Sequence, residues 1–223
     1  MIRSQEDVDR GLARLVALDP RLAPVAAVAG PTPLRPGSAD LPGLVATVVA
    51  QQVSRASAAA ILGRLAALVD LSDAGALRAA SDETLRQAGL SGAKARTVRA
   101  LAAAIGRGEL DLRRVAEAPP EEAIRALVAI PGIGRWTAEC HLLFGVGHPD
   151  IFPAGDLALR IAVGRGVGLG PRPAERAVAL AATAWSPLRS VAARLFWAYY
   201  AALLRRDAAP VAGPPVLPGP SAR

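Results

Sequence analysis

A chain of 223 residues, 52% hydrophobic, is long enough to bury a full core as one large domain or two small ones, and too apolar to be disordered as a whole. Its formal charge of +7 and sequence pI of about 11.0 fit a polyanionic partner, with arginine carrying nearly all the positive charge and Lys94 the only lysine. No uninterrupted apolar run reaches membrane-spanning length and Met1 to Asp7 lack a signal peptide's apolar segment, so no membrane is expected and a cytoplasmic location is.

Nearly every periodic segment reads as helix, which predicts an all-α fold. Val8, Leu12, Leu15 and Val16 give Ser4 to Leu18 a helical stripe. Prolines break the chain from Asp19 to Gly43, with a short helix expected near Ala23 to Ala29 and an irregular linker around Gly30 to Pro42. Leu41 to Val53 is apolar on most sides and predicts a buried helix; it runs into Gln51-Gln52-Val53-Ser54 and then an alanine-rich helix from Arg55 to Val69. Ser81 opens a helix to Ala88 closed by Gly89, and Ser91 opens another to Ile105 closed by Gly106 and Gly108. Lys94, Arg96 and Arg99 lie along the latter as a solvated basic face, with phosphate contact as the other reading. Pro119-Pro120-Glu121-Glu122 suits a helix start. Its apolar run ends at Pro131, and a helix from Trp136 to Val146 comes next. Asp156 begins a helix to about Val167, and Ala174 to Trp185 and Pro187 to Arg206 are the last two. Residues 208–223, rich in Pro, Gly and Ala, predict a disordered tail beyond a folded domain over 1–207.

Between two of these helices lies Ile130-Pro131-Gly132-Ile133-Gly134-Arg135-Trp136-Thr137-Ala138. Gly132 and Gly134 lack a Cβ, so the backbone can turn tightly and approach another surface. The helix that follows presents unpaired N–H groups and a positive dipole end, a seat for a phosphate. No Lys-Ser or Lys-Thr follows and no strand precedes, which excludes a nucleotide P-loop and a dinucleotide fingerprint. A tight helix–helix corner is the plainer reading. Cys140 stands alone, so neither an internal disulfide nor a four-cysteine iron–sulfur cluster is possible. His141 and His148 come with no metal-ligand pattern.

Pro131 to Ala138 resembles the helix-hairpin-helix of the HhH-GPD DNA glycosylase superfamily, in which a Gly/Pro-rich loop and a catalytic Asp follow the hairpin. Ile151-Phe152-Pro153-Ala154-Gly155-Asp156 supplies both, in that order. Val49-Ala50-Gln51-Gln52-Val53-Ser54 resembles the family's first signature at a helix junction that meets DNA. Trp185-Ser186-Pro187-Leu188-Arg189-Ser190 leading to Phe196-Trp197 resembles the C-terminal signature of AlkA-type 3-methyladenine DNA glycosylases.

The resemblance, over about residues 40 to 206, implies two helical subdomains flanking a cleft, without the N-terminal β-rich domain often found in AlkA-type enzymes. One would run over about 43–145 with the hairpin; the other would join the N-terminal helix to about 146–207. It implies that Asp156 is catalytic and that Trp136, Cys140 and Trp197 line a base pocket. It implies DNA contacts at Gly132, Gly134, Arg135, Thr137, Gln51, Gln52 and Ser54, with Gln52 where a side chain wedges into the duplex. A monovalent cation, sodium or potassium, would sit on the carbonyls of Val128, Ile130 and Ile133; no other cofactor is required. The partner implied is double-stranded DNA with damaged bases; a monomer is the default expectation.

An isolated Asp before an apolar run is most simply an N-cap, and that role is compatible with catalysis. Breaking an N-glycosidic bond develops positive charge on the sugar, which a fixed carboxylate stabilises. Glycosylases that also nick the strand place a Schiff-base lysine where Trp136 stands, so a monofunctional hydrolase is expected. Two other functions fit the same residues: a glycosylase for oxidised or mismatched bases, and a DNA-binding hairpin module without catalysis.

Overall fold

The computed structural model describes residues 1–35 and 37–204. The tail expected over 208–223 lies outside the described residues. Among the described residues every regular element is helical, and no helix is long and apolar enough to cross a membrane. Among the described residues the chain divides into two compact units: one joins 1–35 to 147–204, and the other spans 37–146.

In the first unit, α1 (Gln5–Leu18) and α2 (Ala23–Ala29) precede the excursion into the other unit; α11 (Leu157–Val167), α12 (Glu175–Ala182) and α13 (Arg189–Leu204) follow it. The Ser4 side chain caps α1 in a reciprocal box with Asp7. The unit is built on α13, which packs against α1, α2 and α11. Every residue of α13 from Ser190 to Trp197 is buried. The N-terminal strand of chain is tied in by Ile2 N donating to Gly147 O at 2.7 Å. Trp185, fully buried, donates its indole N–H to Asp19 Oδ2 at 2.9 Å. Arg21 pairs with the same carboxylate, and these bonds hold it well down, at about 2.

In the second unit, α3 (Leu41–Val49) is buried along nearly its whole length and packs against α4 (Arg55–Leu68), α7 (Gly92–Gly106), α10 (Arg135–Cys140) and the π-helical turn His141–Val146 that prolongs α10. Around them lie α5 (Ala74–Ala79), α6 (Asp82–Ala88), α8 (Leu112–Glu117) and α9 (Pro120–Val128). Ser54, Ser81 and Ser91 cap α4, α6 and α7.

Three expectations change. The helix expected over Leu41 to Val53 stops at Val49, because Gln52 leaves the helical region with φ 55. Two short helices, α5 and α8, were not expected; Asp73 and Asp111 cap them through Gly75 N and Arg113 N. The second hairpin helix relaxes at His141 into a wider π turn.

Candidate active site and DNA-binding hairpin

The hairpin corner joins α9 to α10. Ile130 N donates to Leu127 O at 3.1 Å and Ile133 N to Ile130 O at 3.0 Å, which closes the turn. The two glycines differ in what requires them. Gly132 has φ +90, and a Cβ there would overlap the Thr97 hydroxyl from α7. Gly134 has an ordinary extended backbone, φ −85, and a Cβ there would meet nothing within 4 Å. Only Gly132 is needed for the tight turn, and the space beside Gly134 is open.

Arg135, expected to contact DNA, is held by two carboxylates. Its guanidinium meets Glu121 at 2.6 Å and Glu139 at 3.0 Å, bracing the start of α10 against the first turn of α9. Thr137 is buried, and Gln51 reaches it: Gln51 Nε2 donates to Thr137 Oγ1 at 2.9 Å and to Gly132 O at 3.3 Å. Gln51, Gly132 and Thr137 are therefore brought together, by bonds spanning 81 and 86 residues. Gln52 next to them is exposed and left-handed, a conformation that disfavours a side chain by about 1 kcal/mol. Ser54 is engaged as the α4 N-cap, accepting from Ser57 N at 3.1 Å.

The basic face expected on α7 is only partly solvated. Lys94 Nζ donates to Val49 O at 2.7 Å, at the carbonyl end of α3 where a cation is favoured. Arg99 meets Ala80 O and Asp82, and Arg96 is exposed.

Val128 is the last residue of α9, and Ile130 and Ile133 lie in the corner that follows it. Ile130 O accepts the Ile133 N–H and keeps a second lone pair. Neutral oxygens of this kind suit a hard, singly charged cation.

Asp156 sits in the other unit, at the N-terminus of α11. Its Oδ1 accepts from Leu159 N at 2.9 Å, the cap expected from sequence, and from Trp197 Nε1 at 3.2 Å. The loop before it is fixed: Ile151 to Ala154 are buried, Ile151 N donates to Ser190 Oγ at 2.9 Å, and Arg189 grips Asp150 at 2.8 Å and 2.9 Å. Of the three side chains expected to line a base pocket, Trp136 keeps accessible surface, whereas Trp197 and Cys140 are buried. The contact shown by Trp197 is with the carboxylate, because its N–H is aimed at Asp156 across α13 and α11.

The pattern of the HhH-GPD superfamily of base excision DNA repair proteins matches residues 45–187. A crystal structure of a DNA-3-methyladenine glycosidase from Bacillus halodurans is 33% identical, covering 86% of this chain and 88% of that one, with a TM-score of 0.73. The Schizosaccharomyces pombe 3-methyladenine DNA glycosylase Mag1, solved in complex with abasic DNA, is 25% identical over 86% of this chain and 95% of that one, also with a TM-score of 0.73. The Bacillus subtilis protein YfjP is 33% identical over 93 residues, which span 42% of this chain and 32% of that protein. The chain belongs to the HhH-GPD superfamily of base excision DNA repair proteins.

Proposed function

We propose that this chain is a monofunctional DNA glycosylase that excises alkylated purines, of the 3-methyladenine and 7-methylguanine class, from double-stranded DNA. The observation that carries this reading is the carboxylate of Asp156, fixed by two N–H donors at the start of α11. The names of the Bacillus halodurans and Schizosaccharomyces pombe relatives support the substrate class.

The N-glycosidic bond is out of reach in a stacked duplex, so the nucleotide must be flipped out, at roughly a few kcal/mol. The hairpin's N–H groups around Gly132 and Gly134 would hold the strand by its phosphates, with the open space at Gly134 admitting the backbone. A monovalent cation on the carbonyls of Val128, Ile130 and Ile133 would add positive charge beside that phosphate. Gln52 would fill the gap left by the base.

As the bond between C1′ and the base breaks, the base takes the electron pair and the sugar becomes cationic. Asp156 stabilises that charge and accepts a proton from the water that adds to C1′. An alkylated purine is already positive, so it leaves neutral without a general acid. The indole face of Trp136 attracts such a base by about 0.5–2 kcal/mol. Trp136 cannot form a Schiff base, so the strand is left intact.

Base release from methylated duplex tests this, with wild type compared with Asp156→Asn. Free 3-methyladenine is expected from the wild type, a loss of at least about 100-fold in the variant with DNA binding retained, and no covalent trapping by borohydride. Equal rates would remove Asp156 from the reaction, and trapping would remove the monofunctional assignment.

A further inference from the structure

Three contacts tie α7, the end of α3 and the hairpin corner to one another. Lys94 on α7 donates to Val49 O at 2.7 Å. Thr97, one turn further along α7, fills the space that the glycine at 132 leaves open in the hairpin corner. Gln51 closes the third side, with Nε2 donating to Gly132 O at 3.3 Å and Thr137 Oγ1 at 2.9 Å. A carboxamide nitrogen carries two hydrogens, and these bonds use both. Immediately beyond stands Gln52, exposed and held at φ 55. An exposed side chain keeps a left-handed backbone only when its surroundings over-determine it. Gln51, bonded to the hairpin, and Lys94, bonded to the last turn of α3, do so from either side of the Ala50 turn.

We propose that Gln51 is a positioning residue, not a DNA contact: with Lys94 it locks the Gln52 turn to the hairpin corner, so that Gln52 meets the duplex at a fixed spacing from the groups that hold the strand. This rests on the reading of the chain as a glycosylase acting on flipped nucleotides. It differs from what the resemblance implies, which makes Gln51 a DNA contact beside Gln52.

A double-mutant cycle on the full chain separates the two roles. Gln51→Ala, Gln52→Ala and the double variant are compared for affinity to a duplex carrying a tetrahydrofuran abasic analogue and to the intact duplex, with 2-aminopurine opposite the analogue as a stacking probe. Thermal unfolding confirms that each variant is folded. Each single substitution is expected to weaken gapped-duplex binding by about ten-fold. The double variant should be no weaker than Gln52→Ala. Lys94→Met should reproduce part of the Gln51→Ala loss, and Lys94→Arg, which still donates to Val49 O, should restore it. Multiplicative losses near about 100-fold would mean that Gln51 touches DNA itself, and overturn the proposal; so would a Gln51→Ala variant that binds as the wild type does. A wild type with no preference for the gapped duplex would instead reject the glycosylase reading beneath it.

Discussion

The indole N–H of Trp197 is aimed at Asp156 Oδ1, 3.2 Å away, and shares that oxygen with the Leu159 amide. Two donors on one carboxylate oxygen fix its plane, which a lone cap does not. Replacing Trp197 by Phe keeps an aromatic ring in the core but removes the donor. The single-turnover rate of base release is expected to fall by about ten-fold, with stability lower by roughly 1–2 kcal/mol. Rate and urea midpoint measured on the same variant check this; a normal rate at reduced stability would leave the indole with a packing role alone.

The two hairpin glycines should fail differently. Gly132→Ala forces φ +90 on a residue with a Cβ and drives that carbon into Thr97. A loss of about 2 kcal/mol or more in unfolding free energy is expected. Gly134→Ala meets no atom of the protein, and its stability should change by less than about 1 kcal/mol. Its affinity for duplex DNA should nevertheless drop, because the added methyl faces the approaching backbone. Chemical denaturation beside a filter-binding titration distinguishes the pair; a Gly134→Ala variant with wild-type affinity would show that the open side is not where DNA docks.

His141 makes stability depend on mild acid. Its ring is fully buried beside Asp40, and burial pushes its pKa down to about 4. The unfolded chain takes up this proton from about pH 6.5 downward, while the folded chain does not. Stability from this group is therefore complete above about pH 6.5, declines as the pH falls toward about 4, and levels off below. The total is on the order of a few kcal/mol. Urea midpoints between about pH 7 and about pH 4.5 should converge for wild type and His141→Gln, whose side chain has no proton to gain. Parallel profiles would assign the acid sensitivity to the carboxylates instead.

Gln52→Gly tests whether strain is retained for function. Glycine accepts φ 55 freely, so the folded state should gain up to about 1 kcal/mol, less the greater entropy of the unfolded chain. Excision should weaken, since nothing is left to enter the gap. A variant that is both more stable and fully active would deny the side chain any part in DNA distortion.

Helix boundaries were readable wherever a capping residue stands before an apolar run, as at Ser4, Ser54, Ser81, Ser91 and Asp156. The same rule at Asp73 and Asp111 would have found α5 and α8, but six residues give too little periodicity to support it. The site divides in the same way. Gly132 and Asp156 announce themselves by local chemistry. The task of Gln51 depends on a hairpin more than 80 residues later, and that of Trp197 on a carboxylate 41 residues earlier. Arg135 pairs with Glu139 one turn on in its own helix, which i,i+4 spacing does encode, and with Glu121 on the preceding helix, which no local pattern encodes because tertiary packing creates it.

The unit that carries Asp156 is assembled from both sides of the other one: α1 and α2 find their shared neighbour α13 only after more than a hundred residues have intervened. On the ribosome the hairpin half emerges as one uninterrupted stretch and has all its own helices in hand first. The opening helices must wait, with Val8, Leu15 and Val25 uncovered, until Arg189 and its successors are synthesised. Nascent chains arrested before that point should thus hold a protease-resistant hairpin half beside a digestible beginning, and the carboxylate of Asp156 would be the last part of the molecule to acquire its setting.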